Sequence, residues 1–451
     1  MKRSEHSKSA PSPQTLQINR LGFHYYPDSL HYTAQDLQTW LPLLSRLNVG
    51  WLAMESPATR AIPEAFIRGL LKQGISPLIQ FPFSLVDPPE LREVAPIIEA
   101  YIKWGALHIQ IFDRPNLRRT WGPAFWSHPD LAEAFVDAFL PWAQWIVRCG
   151  GYPILPPLQP GGDYWDTAFL QNVLTILERR QQTSIIENLH LSAYAWTHNH
   201  PLEWGQGGPL AWPEARPYCQ SPDTQDQRGF RIFEWYEAIA QSVLERSLPI
   251  HLFHVGLPSD PQILFSQSDG FHPAAMPAVQ HLYASLAPKG IATVPLAAEY
   301  PPSLLSCNFW LLSASPNTPF AAQAWFHEGK PANDAVMQLI SPDATHPHSQ
   351  FTPGSPGIFE HLKRPIGHYI LLPPDWTTQP ELIPILLSQM PTGDTPTLGT
   401  ALSEAVLAQR VTLVEPEKFA PEVIEQLRAS GCVVDTITLN QVSHLSKYLA
   451  R

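Results

Sequence analysis

The stretch HIQIFDRPNLRRTWG, residues 108–122, brings an apolar run to a halt on Asp113, Arg114, Pro115 and Asn116. A strand that stops on polar residues hands them to a working surface, here a carboxylate, a guanidinium and an amide almost side by side. A carboxyl group can give or take a proton near neutral pH when its surroundings raise its pKa, whereas arginine stays charged. Comparable apolar runs end near His24 and Asp28, near Glu55, near Asp163 and Asp166, at Tyr194 and Trp196, at His254, and at Asn308 with Trp310. Glu55 paired with Asp113, Asp163 or Asp166 would suffice for acid–base or nucleophilic catalysis. The plainer role for each of these acids is a helix cap or an arginine partner, with Arg118 and Arg119 close to Asp113 in sequence.

The elements that must position these groups alternate. Apolar runs at 21–26, 49–56, 75–81, 106–112, 152–157, 189–196 and 249–256 read as strands, and an eighth falls at 291–297 or 307–314. Between them, 35–48, 63–74, 90–105, 129–151, 166–182, 230–247 and 273–290 carry apolar residues at helical spacing. The second of these has Pro63 at its start and Gly74 at its end, the usual asymmetry of helix boundaries. About eight strand–helix units in roughly 300 residues predict a (β/α)8 TIM barrel rather than an open sheet. No glycine-rich dinucleotide fingerprint follows the first strand, and no cofactor is expected. In such a barrel the strand ends named above converge on one face.

Composition narrows the function classes. The 451 residues are 44% hydrophobic and 15% charged, enough apolar material for a large core and a second domain. Twenty-nine Lys and Arg against 40 Asp and Glu leave a formal charge of −11, so no basic stripe invites nucleic acid. The amino terminus lacks the apolar core of a signal peptide and no run is long enough to span a membrane, so a cytoplasmic location is expected. Four cysteines stand far apart without CxxC spacing, which suggests neither a disulfide framework nor a zinc site. The expected organisation is a polar tail over 1–18, the barrel over 19–327, a Pro-rich linker or strap over 328–366, and a small α/β domain over 367–451. In that last region VTLVEPEKFAPEVIEQLRASGCVVDTI resembles the repeats of bacterial cell-wall-binding modules but lacks their Gly-Gly turn, and a generic strand–helix–strand unit explains it.

The lettering of residues 108–116 resembles the fourth strand of the clan A retaining glycoside hydrolases, which include the family 5 cellulases. In that family an Asn-Glu-Pro sequence ends the strand and its Glu is the general acid; here Asp113-Arg114-Pro115-Asn116 fills the frame. The family's nucleophilic Glu closes strand seven, where PIHLFHVG (249–256) puts His254. A His-x-Tyr pattern commonly ends strand six; here Tyr194 is kept and Ser192 replaces the His. Trp310 matches the tryptophan that often floors the sugar site after strand eight. The resemblance spans residues 20 to 325 and implies a barrel that binds a carbohydrate or glycoside at its carboxyl face through His24, Arg114, Asn116, Tyr194, Trp196, Trp204, His254 and Trp310.

It also implies that the standard retaining mechanism is absent. That mechanism needs two carboxyl groups about 5 to 5.5 Å apart, and neither arginine nor imidazole replaces one. Glu55 and Asp113 remain as a rearranged pair, and a separation of about 6.5 to 9.5 Å would point to inversion. Adjacent strand residues face opposite ways, so Asp113 takes the place of the acid only if a bulge re-aims it. A metal-dependent hydrolase would need several histidines at the mouth; His24 stands alone at strand one, His198 and His200 lie in a loop, and no metal is expected there. Trp196, Trp204 and Trp212 bracket that loop, either as a sugar-stacking lid or as its own small apolar core. A barrel serving only as an assembly scaffold is the remaining alternative.

Overall fold

The computed structural model describes residues 19–122, 130–212, 226–264, 272–286, 300–340, 366–373, 397–406, 408–430 and 432–437. The expected tail over 1–18, the alternative strand at 291–297 and residues 341–365 of the expected linker lie outside them. The described residues fall into two compact units.

In the first unit, eight strands form one parallel sheet: β1 (Leu21–His24), β2 (Trp51–Glu55), β3 (Ser76–Phe81), β4 (His108–Ile111), β5 (Tyr152–Ile154), β6 (Leu191–Tyr194), β7 (Ile250–Phe253) and β8 (Leu304–Phe309). Their order is β5-β4-β3-β2-β1-β8-β7-β6. The outer two meet through bridges at Ile154↔His190 and Leu158↔Ala193, and the Leu155 amide donates to the His190 carbonyl at 2.8 Å. The sheet is therefore a closed barrel, as the alternation predicts, and the eighth strand is the later of the two candidates. Strands covered on both faces need continuous apolar runs, which is why β1, β6 and β7 are buried at every position.

Helices start and stop where local chemistry dictates. The Thr33 hydroxyl accepts the Asp36 amide at 3.1 Å while the Asp36 carboxylate accepts the Thr33 amide at 2.8 Å, a capping box that opens the helix Ala34–Arg46. Gly105, at φ 103°, closes the helix Leu91–Trp104. Buried Leu44, Ile67, Ile98, Phe135, Val173 and Phe233 turn the helical layer onto the barrel, each contributing about 1.5–3 kcal/mol of apolar burial.

Part of the segment expected as a linker is ordered structure of this first unit. Beyond β8, β9 (Phe326–His327) pairs antiparallel with β10 (Lys330–Pro331), and a helix spans Asp334–Ile340 with Val336 buried in the barrel core. Apolar spacing in DAVMQLI carries that helix, and the surrounding Pro-rich composition obscures it. The second unit is a four-stranded parallel sheet, β11 (Ile366–Leu371), β12 (Thr397–Gly399), β13 (Ala408–Val414) and β14 (Val433–Ile437), ordered β12-β11-β13-β14. The helix Pro421–Ala429 connects β13 to β14 and buries Leu427 against Tyr369, Val411 and Leu413.

Gly22 in β1 shows how tightly the barrel packs. A Cβ there would collide with the Asn308 side-chain oxygen and come within 2.9 Å of the Trp51 Cβ. Gly22→Ala should cost about 2 kcal/mol in urea denaturation, in line with overpacked cores. An unchanged midpoint would contradict this packing of β1 between β2 and β8.

Candidate functional site

At the carboxyl end of the barrel, β1, β4, β6, β7 and β8 deliver one connected group. The ring centroid of His254 lies 4.6 Å from Tyr194, 4.7 Å from Trp310 and 4.9 Å from His24. Trp196 stacks on Tyr194 at 4.8 Å with 12° between the planes. All five residues are buried. The Trp310 indole donates to the Gln323 side-chain oxygen at 2.6 Å, which fixes that ring.

Asp113 and Arg114 both turn toward this group. Regular strand geometry would point them to opposite faces, but Phe112 at φ 72° and Arg114 at φ 44° hold left-handed conformations that break the alternation. The Tyr194 hydroxyl donates to Asp113 Oδ1 at 2.7 Å, and Arg114 Nε donates to Asp113 Oδ2 at 2.8 Å. Arg114 also pairs through Nη1 with the buried Asp260, and its guanidinium lies 5.3 Å from the Tyr194 ring centroid. His254 is left-handed too, at φ 51°. Such residues cost on the order of 1 kcal/mol or more each, and strain of this kind gathers at working sites.

The electrostatics follow from burial and pairing. Burial pushes the His24 imidazole down to about 3 and His254 well below its ordinary range, with His24 and Arg114 adding to the effect on His254. Both rings are therefore neutral. Burial and then the Asp113 charge raise the Tyr194 phenol well above its usual value, so it remains a donor. Burial alone would lower Arg114, but Tyr194, Asp113 and Asp260 outweigh it and hold the guanidinium charged. Burial, with Asp28 and Asp113 nearby, raises Glu55 at the end of β2 to about 7. Among the described residues, the buried His24 Nε2, His254 Nδ1 and Trp196 Nε1 have no hydrogen-bond partner.

Other sequence candidates are placed differently. Asn116 is fully buried, and its side chain donates to the carbonyls of Gln159 and Tyr164 while accepting the Gln159 amide at 2.8 Å. Its amide is thereby spent on joining two loops. Trp204 stacks on His200 at 4.0 Å, meets Trp212 edge-on at 5.0 Å and donates to the Asp226 carbonyl. These contacts match a small apolar core of the loop itself. Asp166 is buried and holds the Gly161 amide, Gln227 and Tyr236, and Asp163 accepts the Arg118 amide at 2.7 Å.

Sequence reasoning missed Asp260, whose Ser-Asp-Pro context signals only a helix start, and also the Gln80–Gln110 pair. Gln80 donates to Gln110 at 2.8 Å, and Gln110 donates to the carbonyl of Phe112, tying β3 to the left-handed corner. It missed a second cluster as well. At the amino-terminal end of the barrel, His108, His190 and His251 each offer a ring nitrogen, all within 4.8 Å of one another. Burial lowers His108 to about 4 and His190 to about 3, and takes His251 well below the ordinary histidine value, so these rings are neutral.

No protein-family model matches the sequence, and no curated protein matches it. Among solved structures, a family 39 glycoside hydrolase from Bacteroides cellulosilyticus WH2 is similar at 11% identity and TM-score 0.41, over 72% of this chain and 64% of that one. This chain thus spans slightly under two thirds of that protein's length. A monomeric β-xylosidase from Caulobacter crescentus CB15 matches at 11% identity and TM-score 0.43, over 71% and 67% of the two chains. An endo-β-1,4-mannanase from Thermotoga petrophila matches at 10% identity and TM-score 0.38, over 78% and 82%. Likeness at this level leaves the reading of the site to its own residues.

Arg114 is the hinge of that site, because its removal strands the buried Asp260, whose one other cationic partner among the described residues is the more distant Arg119 at 4.0 Å. Arg114→Met should destabilise the chain by about 3 kcal/mol in urea melts, and adding Asp260→Asn should restore most of the loss. Equal stability of Arg114→Met and the native chain would contradict the buried pairing.

Proposed function

We propose that this chain is a glycoside hydrolase-like barrel that binds a carbohydrate at its carboxyl face and lacks the standard retaining pair. The aromatic group at the mouth and the polar atoms within it that have no partner among the described residues carry the proposal. Buried polar groups are ordinarily hydrogen-bonded, so the closed-off His24 Nε2, His254 Nδ1 and Trp196 Nε1, unpartnered among the described residues, hold donor and acceptor capacity that a ligand takes up when these rings turn toward the mouth. A polyhydroxylated sugar offers both, with an apolar ring face for Trp310. Arg114 stands where the resemblance puts the acid, locked as a cation between Asp113 and Asp260, and a neutral His254 stands where it puts the nucleophile. Neither supplies a carboxyl group.

A second reading, hydrolysis through Glu55 and Asp113, is favoured by one observation. Glu55 is raised to about 7, in the range of a general acid working near neutrality, while Asp113 is held by Tyr194 and Arg114. Glu55 would act in its protonated form, so the rate would fall as pH rises through about 7.

A glycan array beside a panel of chromogenic glycosides separates these readings. Saturable binding without turnover is expected, and Trp310→Ala should weaken it ten- to a hundredfold, as loss of an aromatic platform does. A chain that binds no glycan would refute the proposal. Turnover that falls above about pH 7 and disappears in Glu55→Gln would replace it with the second reading.

A further inference from the structure

We propose that His108, His190 and His251 form a binding site for a zinc-class divalent ion at the amino-terminal end of the barrel, away from the carbohydrate face. His251 precedes His254 by three residues on the same chain segment, roughly 10 Å of extended strand. The ligands come from separate places: His108 opens β4, His190 immediately precedes β6, and His251 lies in β7. Only closure of the barrel gathers them. Interior layers of such barrels are usually filled with branched aliphatic side chains, so three imidazoles together are unusual packing.

The geometry suits a metal. His190 Nδ1 and His251 Nε2 are 3.1 Å apart, and two nitrogens bound at about 2.0–2.1 Å in a tetrahedral site would be separated by about 3.4 Å. The His108 nitrogen, within 4.8 Å of the others, closes the set through a small ring rotation. His108 is only half-buried and makes no side-chain hydrogen bond among the described residues, so no bond has to break for that small rotation. On the outer side, His251 Nδ1 bonds Ser306 Oγ at 2.8 Å, and Asn308 Nδ2 donates to the same oxygen at 2.8 Å. An outer partner of this kind orients a ligating imidazole and leaves its Nε2 facing the ion. Trp51 packs 5.0 Å from both His108 and His251, and Tyr152 stacks on His190 at 4.9 Å, which limits the rings to small motions. Three imidazoles without a carboxylate or thiolate favour zinc and its neighbours over magnesium or calcium. The proton now shared between His190 and His251 would move to an outward-facing ring nitrogen or to solvent on binding.

The test uses the full chain stripped with a chelator. Titration with Zn2+ alone, followed by calorimetry, should give one site per chain with submicromolar Kd, and saturation should raise the melting temperature by several degrees. Titration with Co2+ alone should give the visible ligand-field band of a low-coordinate nitrogen site. His108→Phe, checked for folding by circular dichroism, should lose at least a hundredfold in affinity and the band. A His198→Ala, His200→Ala variant should retain both. Absence of the band in the native chain, or binding unchanged in folded His108→Phe, would overturn the proposal and leave a hydrogen-bonded histidine cluster.

Discussion

Because β5 meets β6 through the backbone at His190 and Leu158, the eight strands have no free edge, and each interior side chain must share one enclosed space with its neighbours. Parallel pairing aligns all carboxyl ends on one side, so residues hundreds of positions apart become neighbours there. His24 and Trp310 are 5.4 Å apart between ring centroids for this reason alone. The same closure stacks His108, His190 and His251 at the other end. Gly22 marks the limit of the packing, since β1 has no room there for even a methyl group.

Within that frame, the corner after β4 sets the character of the mouth. Two left-handed residues turn Asp113 and Arg114 toward Tyr194, and the buried Asp260 completes the ion pairing. A buried guanidinium needs such partners, and its charge in turn helps to keep His254 neutral. Tyr194 joins the two groups, bonding Asp113 through its hydroxyl while its ring packs 4.6 Å from the neutral His254. Burial, with the Asp28 and Asp113 charges adding to it, raises Glu55 toward neutrality.

The alternation of apolar runs and helical patterns was enough to foresee the barrel and most of its elements, because strand and helix periods are local properties of the chain. Residues 326–340 were harder: their hairpin and helix are short, and the surrounding proline-rich composition looks like a linker. Site residues were legible as types at strand ends. Asn116 and Trp204 look as polar and aromatic as any ligand-binding residue, yet the loops around them take up their hydrogen-bonding and stacking capacity. Nothing in the local sequence distinguishes a side chain committed to a loop from one left without a partner.

By itself, the sequence determined the succession of elements, the identity of the residues at each strand end, and the arginine and histidine that stand at 114 and 254. Tertiary structure alone decided that Asp113 and Arg114 face the same way, that Asp260 joins them, that Glu55 is raised by burial with Asp28 and Asp113 nearby, and that three distant histidines meet. The physical reason is that propensity and periodicity act over a few residues, whereas charge pairing, desolvation and ligand geometry depend on distances set only when the barrel closes.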